Sequence, residues 1–207
     1  MNSTKLFLLL LTHLFVCQIF GQSDFSKVDQ YARDTPSSQA QSIEKLAAHL
    51  TSKFKTETES VRAIYVWMAE NIRYNHHVID NGNISIEQRL KKEKPEKVLK
   101  AKWAVCEGYS NLFHALCQEA GIACEVVTGI VKDQNGKIPA IGHAWNVVRV
   151  DGGWHPIDVT WGAGGLSGDN NKFVKNFKDD YFLTDPAVFI QNHYPHDPLF
   201  QLLETPL

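Results

Sequence analysis

Three side chains of this sequence have the types and spacing for acyl transfer through a thiol: Cys106, His143 and Asp158. Cys106 stands in Trp103-Ala104-Val105-Cys106-Glu107-Gly108-Tyr109-Ser110, ahead of a run in which Tyr109, Phe113, Leu116, Cys117 and Ala120 recur at helical spacing. Gly121 supplies the stop. The cysteine therefore sits at or near a helix N-terminus, where free backbone N–H groups and the helix dipole favour thiolate over thiol. Thiolate is the nucleophilic form, and the Cys106 N–H can help hold an oxyanion. Most free cysteines merely pack as small hydrophobes, so the assignment needs a base and a group to orient it.

A hairpin supplies both. Ala140 to Val150 and Trp154 to Trp161 read as strands, with Asp151-Gly152 as the turn between them. If Val150 pairs with Gly153, Trp145 pairs with Asp158. His143 shares the Trp145 face because side chains alternate along a strand. His143 and Asp158 become diagonal neighbours on one face, and a slip of one residue would separate them. Asp158, between Ile157 and Val159, needs a partner if buried. His155 has the opposite parity. His114 lies two turns into the cysteine helix, too far along to reach the thiol easily. His193 and His196 fall in a Pro-rich tail and are expected at the surface. Tyr74 and Trp103 are weak candidates for a second oxyanion donor.

The elements that must position these residues follow from periodicity. Ala40 to Phe54 reads as an amphipathic helix, and Thr56 with Glu59 makes a capping box for the next. That second helix has Val61, Ile64, Tyr65, Met68 and Ile72 as its buried stripe. Ser85 to Leu90 and Pro95 to Lys102 look helical and largely exposed, with lysines alternating with Glu93 and Glu96 as on a solvated face. Ser23 to Pro36 is polar, with Val28 and Tyr31 able to dock on the body. Cys124 to Val131 is β-rich, and Asp133-Gln134-Asn135-Gly136 is a turn. Gly162 to Asn171 reads as a Gly/Asn-rich loop, Tyr181-Phe182-Leu183 as an edge strand, and Pro186 to Tyr194 as a short helix. Helices first, then antiparallel strands, is an α+β layout.

Composition narrows the class. The chain has 207 residues and formal charge −2, which gives no case for nucleic acid. Lys5 followed by the apolar run Leu6 to Phe20 and then Gly21 reads as a cleaved signal peptide over residues 1–21, with residues 22–207 as one domain and its core at about 57–165. Secretion or export to a periplasm follows. A lipid anchor on Cys17 is a lesser alternative, because Leu14-Phe15-Val16 lacks the small residue expected before a lipidated cysteine. No membrane span is expected once the signal is removed. Cys106, Cys117 and Cys124 then remain, an odd number that leaves at least one thiol unpaired. Cys117 and Cys124 fit core positions better than a disulfide. The His76-His77 pair has no acidic or cysteine partner at ligand spacing and reads as a surface loop; no metal and no cofactor is expected. Oligomeric state is left open.

Together the motifs resemble one known family. Val105-Cys106-Glu107-Gly108-Tyr109, Leu116-Cys117 with Ala120-Gly121-Ile122, Gly142-His143-Ala144-Trp145-Asn146, and Trp154 with Ile157-Asp158-Val159-Thr160-Trp161-Gly162 look like the transglutaminase-like superfamily, most of all its kyphoscoliosis-peptidase branch. Ala63 to Trp67, Asn71 to Tyr74 and Tyr181 to Pro186 fit as well. The resemblance implies a papain-like α+β core in which a nucleophile helix packs on an antiparallel sheet, with Cys106, His143 and Asp158 as the triad. It implies a protein or peptide substrate, attacked at a peptide or isopeptide amide through a Cys106 thioester. Hydrolysis is slightly favoured over cross-linking, since nothing builds an amine site. The alternative is a non-catalytic binding or scaffolding module, because fold does not fix reaction.

Overall fold

A computed structural model describes residues 24–75, 85–132, 136, 138, 142–167 and 172–207. The signal-peptide reading, Cys17, His76-His77 and most of the Asp133 turn fall outside them.

The helical half begins with α1 (Ser26–Arg33), where only a docked polar segment is expected from sequence. Its Val28, Asp29 and Ala32 are buried. α2 (Ile43–Thr51) is shorter than its periodicity suggests, because Ser42 takes an extended conformation and caps it through Lys45 N–H. α3 (Glu57–Asn71) opens with the expected Thr56/Glu59 capping box. It is buried on nearly all sides rather than along one stripe, and even Trp67 and Arg62 are covered. β1 (Arg73–Tyr74) then pairs in parallel with β2 (Trp103–Ala104). Between these two strands lie α4 (Ile86–Lys92) and α5 (Pro95–Ala101). Val98 and Leu99 carry α5 into the core.

α6 (Cys106–Glu119) starts at the predicted cysteine and ends before Gly121, whose φ of +72° suits a residue without a Cβ. β3 (Cys124–Val131), β4 (His143–Val150) and β5 (Gly153–Ile157) form an antiparallel sheet. Asp151 and Gly152 both have positive φ, as a two-residue hairpin turn requires. The predicted register holds, with Val150 opposite Gly153 and Asn146 opposite Ile157.

Beyond Ile157 the expected strand does not continue. Asp158 instead caps a five-residue helix, α7 (Val159–Ala163), so the predicted loop begins inside that helix and runs into β6 (Gly164–Leu166). β6 pairs with β7 (Phe173–Lys175). Tyr181-Phe182-Leu183 is not a strand. It passes beside β5 with Tyr181 C=O accepting from Asp158 N–H and Leu183 at positive φ. The true edge partner comes after α8 (Pro186–Phe189): β8 (His193–Pro195) joins β3, giving the sheet order β5-β4-β3-β8.

One sheet face, including Val148, Val150 and Ile157, packs on the helices in the main core. The other, with Val127, Val131, Trp145 and Val147, is covered by Phe189 and, at its margin, Trp161 and Tyr181. Among the described residues no helix is long and apolar enough to cross a membrane. The architecture is α+β, with the cysteine helix against an antiparallel sheet.

Candidate active site

Cys106 is the first residue of α6, where its N–H has no intrahelical acceptor. The start of this helix is fixed from outside by Glu93. Glu93 is almost wholly buried, not on a solvated face as its lysine-rich neighbourhood suggests, and its Oε2 accepts from Val105 N–H at 3.2 Å. Its backbone carbonyl accepts from the Asn111 amide at 3.1 Å. Gly108 makes room for the carboxylate: a Cβ there would lie 2.1 Å from Glu93 Oε2 and 2.7 Å from Ala104 Cβ. Gly108→Ala is therefore expected to displace Glu93 and cost about 1–3 kcal/mol, the usual range for overpacking. Denaturant melts check the stability loss, and iodoacetamide kinetics should show slower labelling of Cys106 as its helix start shifts.

The sheet delivers the candidate base. His143 Nε2 lies 2.7 Å from Asp158 Oδ2, as the hairpin register requires. Nε2 is committed to the carboxylate, and the Cys106 thiol and its charge act on the same ring. Burial alone would lower the imidazole pKa. The Asp158 charge and hydrogen bond, with Cys106, outweigh it and raise the value to about 10. Burial likewise pushes the Asp158 carboxyl up, but His143 and then His193 hold it well below the usual carboxylate range. Asp158 has no exposure to solvent, and Oδ1 accepts from Trp161 N–H at 3.1 Å. The one aspartate thus caps α7 and accepts from His143. Asn146, from the other face of β4, ties α6 to the sheet by donating to Ser110 and Glu125 carbonyls.

Sequence reasoning missed His193. Far from being a surface residue, it is fully buried, with Nε2 3.1 Å from the same Asp158 Oδ2. The missing signal was β8: Val131 pairs with His193, which carries the tail histidine onto the face of Trp145 and Asp158. His196 is exposed, as expected. Asp158, His143 and His193 are also the group among the described residues whose donor atoms cluster within 4.8 Å, and hydrogen bonds already join them.

The remaining candidates separate. His155 pairs across from Val148, away from Asp158 in parity. His114 faces Cys124 instead of Cys106, and hydrogen bonding to Cys117 and His114 brings the Cys124 thiol down to about 7. Cys117 and Cys124 are free thiols, both buried, whereas Cys106 is partly accessible. Of the two oxyanion-donor candidates, Tyr74 is the one that feels the Cys106 charge. Burial and then the Cys106 charge push its phenol up, so it stays protonated as a donor must. Trp103 is more than a third exposed.

Residues 44–159 match the family model of the transglutaminase-like superfamily. Human kyphoscoliosis peptidase is 34% identical over 189 residues, covering 88% of this chain and 27% of that protein. Drosophila melanogaster hillarin is 28% identical over 202 residues, covering 89% of this chain and 24% of its own length. A solved TGase structure overlaps 80% of this chain and 40% of its own, at 18% identity and a TM-score of 0.46. The chain spans about a quarter of the length of these two relatives. With the nucleophile motif, the strand histidine and the aspartate all inside or bordering the matched region, the chain belongs to the transglutaminase-like superfamily, on its kyphoscoliosis-peptidase branch.

Proposed function

We propose that this protein is an exported thiol acyl-transfer enzyme acting on peptide or isopeptide amides, with hydrolysis favoured over cross-linking. The observation that carries the reading is the buried 2.7 Å contact between His143 and Asp158, with Cys106, at a helix N-terminus, acting on the same ring. Export rests on the apolar run Leu6 to Phe20 behind Lys5.

In this reading the Cys106 proton resides on His143, whose raised pKa keeps it an imidazolium at neutral pH. Thiolate attacks the amide carbon, and the Cys106 N–H and Tyr74 hydroxyl stabilise the oxyanion. His143 gives its proton to the departing amine, leaving a thioester on Cys106. Water then attacks the thioester carbon, His143 takes one of its protons, and collapse releases the carboxylic acid and restores the Cys106 thiolate beside the His143 imidazolium. A lysine amine in place of water would give an isopeptide cross-link by the same steps.

The test begins with iodoacetamide at pH 7, each cysteine followed by mass spectrometry. Cys106 should label at least about tenfold faster than Cys117 or Cys124, because an accessible imidazolium-paired thiolate outruns buried thiols. Cys124 is the demanding control, since its thiol is the one brought down to about 7. Equal rates would leave only a binding module. Peptide substrates with and without a primary amine then separate cleavage from amine incorporation.

A further inference from the structure

The contact to Asp158 assigns the Nε2 proton of His193 by geometry. An ionised carboxylate only accepts, so the contact to Asp158 Oδ2 requires a proton on His193 Nε2. Burial holds the ring's pKa below its ordinary value, opposed by Asp158 and reinforced by the His143 charge, so the ring is neutral. Nδ1 of a neutral ring with a protonated Nε2 is an acceptor. Asn192 Oδ1 is placed 2.5 Å from Nδ1 and can only accept, so an accepting Nδ1 requires the Asn192 amide to be flipped, with its nitrogen in that position.

The ring has little freedom. It stacks on Phe189 at 3.9 Å between centroids and meets Trp161 at 4.6 Å and Trp145 at 5.2 Å edge-on. Asp158 is accordingly held at two points that are not the base: Oδ1 by Trp161 N–H and Oδ2 by His193. Two points fix the plane of a carboxylate. With one removed, the carboxylate can turn about its Cβ–Cγ bond, and the His143 ring loses its single preferred orientation.

We propose that His193 is a positioning residue of the triad, whose Nε2–H clamps Asp158 Oδ2 and so sets the orientation of His143 toward Cys106. Its catalytic consequence rests on the acyl-transfer reading above; its geometry does not. A histidine that only filled the core could be replaced by any ring of similar size, and this separates the two roles.

Nitrogen-15 histidine spectra of the wild-type protein at pH 7 should show His193 neutral with Nε2 protonated, and His143 as an imidazolium with a strongly downfield Nε2 proton. A His193 protonated at Nδ1 alone overturns the proposal without any variant. His193→Phe keeps the aromatic stack but drops the donor. It is expected to slow iodoacetamide labelling of Cys106 about tenfold, the loss of one hydrogen bond to a charged group, and to move the His143 proton upfield. His193→Gln places an amide N–H near the Nε2 position and should stay within about threefold of wild type. A His193→Phe protein that is folded by circular dichroism, labels at the wild-type rate and leaves the His143 proton unmoved also overturns the proposal. Slow labelling of Cys106 in the wild type would count against the acyl-transfer reading instead, and the spectra would still decide the role of His193.

Discussion

Asp158→Ala is expected to lower acyl transfer through Cys106 about ten-thousandfold and to destabilise the fold at the same time. Cys106→Ala should abolish acyl transfer while leaving the melting curve close to wild type. The contrast follows from where each side chain sits. Cys106 is partly accessible at a helix start, whereas Asp158 is fully buried and accepts from His143, His193 and Trp161 N–H. Leaving a buried charge without its partner costs about 3–5 kcal/mol. His143 can release its proton and escape part of that penalty, so a loss near the lower end, about 3 kcal/mol, is expected.

The pH dependence of that loss has a definite sign. The folded Asp158 carboxyl titrates below its unfolded value, so its contribution is present above about pH 3.9 and fades as pH falls through the lower folded value. His143 runs the other way. Its contribution is full below about pH 6.5 and is lost as pH rises toward the folded value of about 10. The stability gap between wild type and Asp158→Ala should therefore be widest between about pH 4 and 6.5 and shrink steadily above. Tyr65, Tyr74, Tyr109 and Tyr181 have phenols pushed up by burial and, in part, by the Asp158 charge, and remain neutral across this window. Urea melts at a series of pH values measure the gap, and a gap that widened from pH 7 to pH 9 would rule out the imidazolium–carboxylate pair.

The residues that could be read in advance share a property: their local signal and their tertiary role coincide. The stop at Gly121, the Thr56/Glu59 box and the Asp151-Gly152 turn are short-range features, and the turn alone set the register that joins His143 to Asp158. Misses occurred where long-range pairing decides. Val159-Thr160-Trp161 has strand-forming residues, yet Asp158 caps them into a helix because its Oδ1 reaches Trp161 N–H. Glu93 looks like one more charge on a lysine-rich surface until the Val105 N–H and Gly108 are seen to face it. His193 is the sharpest case. Nothing in Gln191-Asn192-His193-Tyr194-Pro195 announces burial, which arises only when β8 pairs with Val131 more than sixty residues earlier in the chain.

Arg62→Ala is expected to be the most destabilising exchange remote from the cysteine, at about 3–5 kcal/mol, which for a chain of this size lowers Tm by about 10 °C. Arg62 sits on α3 at 3% exposure, and its Nε and Nη2 each donate to a carboxylate oxygen of Asp29 on α1 at 2.7 Å. Nη1 pairs with Asp179, beyond β7. The guanidinium is enclosed by Phe25, Phe177 and Phe182, whose ring centroids lie 4.9 to 5.3 Å away. Burial disfavours its charge, and the two aspartates more than compensate, raising its pKa. Removing the side chain strips buried Asp29 of both its 2.7 Å hydrogen bonds, leaving it only the partly exposed Arg33 at 3.9 Å, and opens a void among the rings. The effect should also travel, because the segment held by Asp179 and Phe182 carries Tyr181, whose carbonyl accepts from Asp158 N–H. Hydrogen exchange should rise at residues 177–182 first, and Cys106 labelling should slow by a few-fold even under conditions where the variant is fully folded. Arg62→Lys keeps the charge but not the paired donors, so it should fall between wild type and alanine. Arg62→Met combined with Asp29→Asn should regain part of the stability, since the buried charge left behind is then gone. A loss below about 1 kcal/mol for Arg62→Ala would show that α1 and the 177–182 segment are held by apolar packing alone.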